Sequence, residues 1–194
     1  MRNESWKIAQ DMIVGFDAGT PKSVIRQVVA DTHIGGIFLT GTTDAVADGF
    51  TPRFYHRLSK VAGAPMLVAS DEEGGIIHRL AYNFNFPNAA EMGRMSPRQV
   101  RHIGMLVGEQ MRADGVYMDL APVLDINRGA DQVIDYYGRS FGSDTTEIAA
   151  HAQAFMNGLH AAGVYATLKH LVGLTTAVKN NRGVILDNSD AHKV

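Results

Sequence analysis

The feature of this chain that most restricts its fold is an alternation of two hydrophobic patterns. Short apolar runs rich in Val, Ile and Leu take turns with longer amphipathic stretches. The runs at 12–16, 36–39, 66–70, 116–120 and 164–168 read as strands, with 184–186 a weaker sixth. Continuous apolar runs suit strands buried on both faces. The intervening stretches carry helix starts, because Thr20-Pro21, Thr51-Pro52 and Ser96-Pro97 each put a capping residue before a proline. Ser96 and Gln99 form a capping box, after which Val100, Ile103, Val107 and Met111 share one helical face until Gly115. Asp144 and Glu147 open a second helix through Ile148, Ala152, Phe155 and Leu159, ending near Gly163. A βαβα order of this kind predicts an α/β fold with a parallel sheet and crossover helices.

Composition narrows the function classes. The 194 residues are 45% hydrophobic and 20% charged, enough for one domain with a core and too few for two. Eighteen Lys and Arg face 20 Asp and Glu, so no basic footprint for nucleic acid or an anionic membrane is expected. With no Cys, disulfides, thiolate metal sites and a Cys nucleophile are excluded. No apolar run is long enough to span a bilayer, and the opening MRNESWKIAQDM lacks the apolar core of a signal peptide. The expected location is cytoplasmic. The eight His include no HExxH pair, so no metal site is expected.

Two parallel architectures compete, the doubly wound sheet and the (β/α)8 barrel. The first strand-to-helix turn, GFDAGTP, matches no dinucleotide or phosphate-loop pattern. Polar residues instead sit at several strand ends: Asp17, Asp71, Lys169-His170, and Asp119 and Asp125 around the fourth. Barrel enzymes distribute their sites along the C-terminal rim in this way. A whole barrel takes about 250 residues, so the expected fold is an incomplete TIM-type (β/α)8 barrel of about five or six βα units spanning residues 1–194. Its two unpaired sheet edges would offer surfaces for self-association.

Three separated segments carry chemistry. The first is Asp71-Glu72-Glu73-Gly74-Gly75, followed by His78-Arg79-Leu80. The second runs from Ala121-Pro122-Val123-Leu124-Asp125 to Tyr137-Gly138-Arg139-Ser140-Phe141-Gly142-Ser143-Asp144, and the third is Lys169-His170. Carboxylates and guanidinium groups at a barrel rim suit the vicinal hydroxyls of a sugar. In order and spacing, from about residue 10 to residue 170, these motifs resemble the N-terminal catalytic domain of family-3 glycoside hydrolases. The likeness is to the β-N-acetylhexosaminidase branch, with its D-[QE]-E-G-G-x-V-x-R-L, A-P-V-x-D, R-S-F-G-S-D and K-H-F-P-G-H-G segments.

That resemblance implies that Asp71, Arg79, Arg139, Lys169 and His170 hold the sugar, with Asp125 in a supporting role and Asp144 only capping its helix. It also implies a carbohydrate substrate, terminal β-linked N-acetylglucosamine or a related β-glycoside, cleaved by a retaining mechanism without metal or organic cofactor. The family's acid/base is the His of an Asp-x-His pair, matched here by Asp190 and His192, later than the family spacing. The loop Leu171-Val172-Gly173-Leu174-Thr175 departs from the family's F-P-G-H-G. The family nucleophile is an Asp on a later strand, beyond Val194. A polypeptide ending at Val194 is therefore expected to lack the covalent step, which gives the alternative of a non-catalytic sugar-binding or structural remnant. A rival motif, Gly138-Arg139-Ser140-Phe141-Gly142, fits the G-x-S-x-G elbow of serine hydrolases, but no strand runs into Ser140 in the sequence pattern.

Overall fold

The computed structural model describes residues 4–41, 44–129, 133–171 and 173–174, and the backbone of Ala177–Lys179 and Ile185–Asp187. In chain order the elements are α1 (Glu4–Gln10), β1 (Ile13–Asp17), α2 (Lys22–Thr32), β2 (Gly36–Thr40), α3 (Pro52–Ala62) and β3 (Leu67–Ser70). There follow α4 (Ala89–Met92), α5 (Pro97–Ala113), β4 (Met118–Asp119), α6 (Val133–Tyr136), α7 (Thr145–Ala161), β5 (Tyr165–Ala166), β6 (Ala177–Lys179) and β7 (Ile185–Asp187). Strands β1 to β5 form one parallel sheet in the order 1-2-3-4-5. A doubly wound sheet reverses its strand order at a switch point, and this one does not. The fold is α/β of the (β/α)8 barrel type, with five barrel strands in an unclosed sheet among the described residues.

The expected sixth parallel strand is corrected. Ile185–Asp187 pairs antiparallel with Ala177–Lys179 in a separate two-stranded sheet. The five residues between them are too few for the crossover that a parallel neighbour requires. Strands β4 and β5 are also shorter than their apolar runs. Their ladder ends at Asp119–Ala166; beyond it the Thr167 N–H still donates to the Ala121 carbonyl, and an isolated bridge joins Val123 to Lys169.

Burial on both faces holds in the middle of the sheet and fails at its edges. Ile37, Leu39 and Val68 are buried, whereas Ile13 in β1 and Tyr165 in β5 keep 41% and 66% of their surface exposed. The described residues place no strand outside β1 or β5, so both remain edge strands among them. The core lies where helices meet the sheet: Ile25 and Val29 from α2, Leu58 from α3, Val107 and Met111 from α5, Phe155 and Leu159 from α7. Full burial of each such side chain contributes about 1.5–3 kcal/mol.

Helix starts follow the expected caps with one change. Thr51 accepts the Phe54 N–H at 3.3 Å, Ser96 and Gln99 complete a capping box, and Asp144 accepts from Thr146 and Glu147. Thr20 does not cap α2; Pro21 holds the N-cap position and makes no side-chain hydrogen bond there. Among the described residues no helix is long and apolar enough to cross a membrane. The C-terminal ends of β3, β4 and β5 feed adjoining loops, and those loops carry the charged clusters.

Candidate active site

The loop leaving β3 sorts three consecutive acids. Extended backbone sends alternate side chains to opposite sides, and here Asp71 and Glu73 both reach Lys169 while Glu72 turns into the interior. The loop then doubles back at Gly74 and Gly75, whose φ angles of 93° and 59° favour glycine. A Cβ on Gly74 would stand 2.1 Å from the Pro87 carbonyl oxygen, so only glycine fits that turn.

On the outer side the expected sugar-binding residues converge. Lys169, following β5, donates to Asp71 Oδ1 at 2.6 Å and lies 2.5 Å from Glu73 Oε1. Arg139 binds Glu73 with two parallel bonds, Nε to Oε2 at 2.7 Å and Nη2 to Oε1 at 2.9 Å. Its Nη2 also sits 3.2 Å from His170 Nε2. On the far side of that ring, Nδ1 is 2.7 Å from Asp125 Oδ2, and Asp125 Oδ1 accepts the Leu174 N–H. Arg79 approaches Asp71 Oδ2 at 3.9 Å. The Lys169–His170 peptide is cis. Residues separated by up to 98 positions thus form one continuous polar chain, with Asp71, Arg79, Arg139, Lys169 and His170 each partly open to solvent.

The charge states follow from these contacts. Burial works against the Glu73 charge, but Arg139 and Lys169 outweigh it and hold the carboxyl below the usual carboxylate range. Asp125 is likewise held low, against burial, by His170 and the Leu174 N–H. Arg139, opposed by burial, is kept more firmly cationic by Glu73.

Beneath lies a different environment. Glu72 is fully buried and accepts from the Ser70 hydroxyl, from Tyr82 Oη at 2.9 Å, and from the Arg79 N–H at 3.1 and 3.2 Å. Burial outweighs these bonds and pushes its carboxyl up to about 7. Asp119, also fully buried, accepts the Glu72 N–H at 3.0 Å through Oδ1, while Oδ2 has no partner among the described residues. Burial and the nearby Glu72 raise it well above the usual range.

Not every expectation joins this cluster. Asp190 and His192 lie outside the described residues. Asp17 ends β1 but remains in an exposed turn, accepting the Gly19 N–H at 3.2 Å. Ser140 is buried, 2.7 Å from the Asp125 carbonyl oxygen and 2.8 Å from that of Gly142, so it fixes a loop rather than presenting a nucleophile. Asp125, expected in a supporting role, contacts both the backbone N–H and the Nδ1 of His170. Glu73 received no separate role in the sequence reading, although the two-residue alternation past Ser70 already set it beside Asp71.

A model of the glycosyl hydrolase family 3 N-terminal domain matches residues 5–194. This chain belongs to glycoside hydrolase family 3. The β-hexosaminidase LpqI of Mycobacterium tuberculosis is 37% identical over 175 residues, covering 86% of this chain and 42% of that protein. Among solved structures, the β-N-acetylhexosaminidase of Beutenbergia cavernae superposes with a TM-score of 0.81 at 29% identity, over 93% of this chain and 57% of that one. The M. tuberculosis LpqI structure gives 0.76 at 34% identity, over 91% and 50% respectively. The chain spans about half the length of these family-3 relatives.

Proposed function

We propose that the protein formed by this chain hydrolyses terminal β-linked N-acetylglucosamine, and that these residues build the sugar-binding half of its site. The observation that carries the reading is the Asp71–Lys169–Glu73–Arg139–His170–Asp125 chain at adjoining strand ends. The names of the similar proteins, β-hexosaminidase and β-N-acetylhexosaminidase, support the choice of sugar.

Within this reading each group has a task. Asp71 Oδ2 makes no hydrogen bond among the described residues and accepts from sugar hydroxyls. Arg139 Nη1 and the third Lys169 proton, which have no hydrogen-bond partner among the described residues, are the matching donors. Arg79 and His170 flank them. In the retaining route a carboxylate attacks the anomeric carbon as the glycosidic oxygen takes a proton and leaves; water then releases the sugar from the glycosyl-enzyme ester. His192, oriented by Asp190, is the proposed proton donor, and no residue of this chain matches the attacking Asp of the family. The cytoplasmic location belongs to the same proposal, and cell fractionation with an antibody to the chain tests it.

Binding and turnover are tested separately. Calorimetry of the 194-residue chain with N-acetylglucosamine should show binding, weakened at least tenfold by Lys169→Ala or Asp71→Ala, as loss of charged hydrogen bonds requires. Unchanged affinity in both variants would refute the sugar site. Release of chromophore from an aryl β-N-acetylglucosaminide by the protein, lost in His192→Ala, is expected for the hydrolytic assignment; turnover unaffected by that change would remove His192 from it.

A further inference from the structure

The two arginines of the site are held in opposite ways. Arg139 is fixed through its own guanidinium, which grips Glu73 with two bonds of 2.7 and 2.9 Å. Arg79 has no comparable grip. Among the described residues the carboxylate oxygen nearest its guanidinium is 3.9 Å away, its Nη1 reaches the His78 carbonyl oxygen at 3.3 Å, and its buried Nε has no partner. Firm anchorage comes at the backbone, where the Arg79 N–H lies 3.1 and 3.2 Å from the two oxygens of Glu72. Glu72 is in turn clamped by the Ser70 hydroxyl at the end of β3, by Tyr82 Oη at 2.9 Å, and through its own N–H by Asp119 on β4.

We propose that Glu72 is a positioning residue of the sugar site, which sets Arg79 opposite Asp71 by holding the backbone of the 79–82 loop against β3. Resting on the sugar-binding reading above, the proposal adds a residue that never meets the sugar. A glutamine can do the same work: its oxygen accepts the Arg79 N–H, and its amide donates to a hydroxyl of Ser70 or Tyr82, either of which can accept. Alanine cannot.

The test is a double-mutant cycle read by N-acetylglucosamine affinity on the full chain. Glu72→Ala should weaken binding about tenfold, close to the effect of Arg79→Ala, and should add nothing further in the Arg79→Ala background. Glu72→Gln should restore affinity to within about twofold of the original chain. Tyr82→Phe, which deletes one bond with little change in volume, should cost about threefold alone and nothing beside Arg79→Ala. A purely structural Glu72 would give additive losses in the Arg79→Ala background, and that result would overturn the proposal. NMR of the sugar-free protein separates this proposal from the function it rests on. The Arg79 N–H and Nε–Hε signals should move in Glu72→Ala and Tyr82→Phe while the Arg139 Nε–Hε signal stays put. Those shifts without any sugar binding would sink the proposed function and leave the positioning role standing; unmoved Arg79 signals would sink the positioning role whatever the sugar does.

Discussion

Glu72 and Glu73 are covalent neighbours, yet they end in opposite electrostatic worlds. Glu73 faces Arg139 and Lys169 and is held charged; Glu72 sits among Ser70, Tyr82 and Asp119, where no side-chain cation of the described residues touches it. The first environment drops the carboxyl below its ordinary range and the second lifts it to about 7. The contrast separates two jobs. One carboxylate holds Arg139 and Lys169 together at the rim, and the other holds the backbone that carries Arg79.

The largest way to break this contrast is to delete Glu73. Glu73→Ala leaves Arg139 and Lys169 partly buried without their shared anion, and removing one member of a buried ion pair costs about 3–5 kcal/mol. Urea denaturation should show that loss, with sugar binding lost alongside it.

A pH titration of stability sharpens the contrast further. Glu73 and Asp125 have lowered carboxyls in the folded protein, so their contribution is present above the ordinary carboxylate range and disappears as pH falls below it. Glu72 behaves in the reverse sense. Its raised carboxyl favours the folded state while protonated, so that contribution is full below the ordinary value of 4.5 and is lost as pH climbs to about 7. Glu72→Gln should flatten the decline between those limits by up to about 3 kcal/mol, and leave the acid limb unchanged. An unaltered decline would mean that Glu72 is not the titrating group.

The smallest expected effect belongs to Ser140. Ser140→Ala removes the hydroxyl that ties the Arg139 loop to the Asp125 carbonyl, at a cost of about 1–2 kcal/mol. Binding should persist with a modest loss, and the pH behaviour traced to Glu72 should not change. Abolition of all glycosidase turnover by this substitution would revive the serine-elbow reading.

Much of this was legible before any coordinates. The apolar runs located β1 to β5, and Ser96 with Gln99 and Asp144 marked helix starts, because caps and periodicity are local signals. Converging motifs brought Asp71, Arg139, Lys169 and His170 to one place. What escaped was set by tertiary contact. The opposed fates of Glu72 and Glu73 depend on Asp119 from one strand and Arg139 from a distant loop. The orienting role of Asp125 required His170 to fold back onto it. Residues 184–186 read as a further strand of the parallel sheet because an apolar run does not announce the direction of its partner.

The central claim is that Asp71, Arg79, Arg139, Lys169 and His170 act on one sugar ring together. Titration of the isotope-labelled chain with N-acetylglucosamine, followed through the side-chain NMR signals of these residues, tests it most directly. The account predicts that all five respond on a single saturation curve with one dissociation constant. Independent curves, or shifts that bypass Arg139 and Lys169, would contradict it.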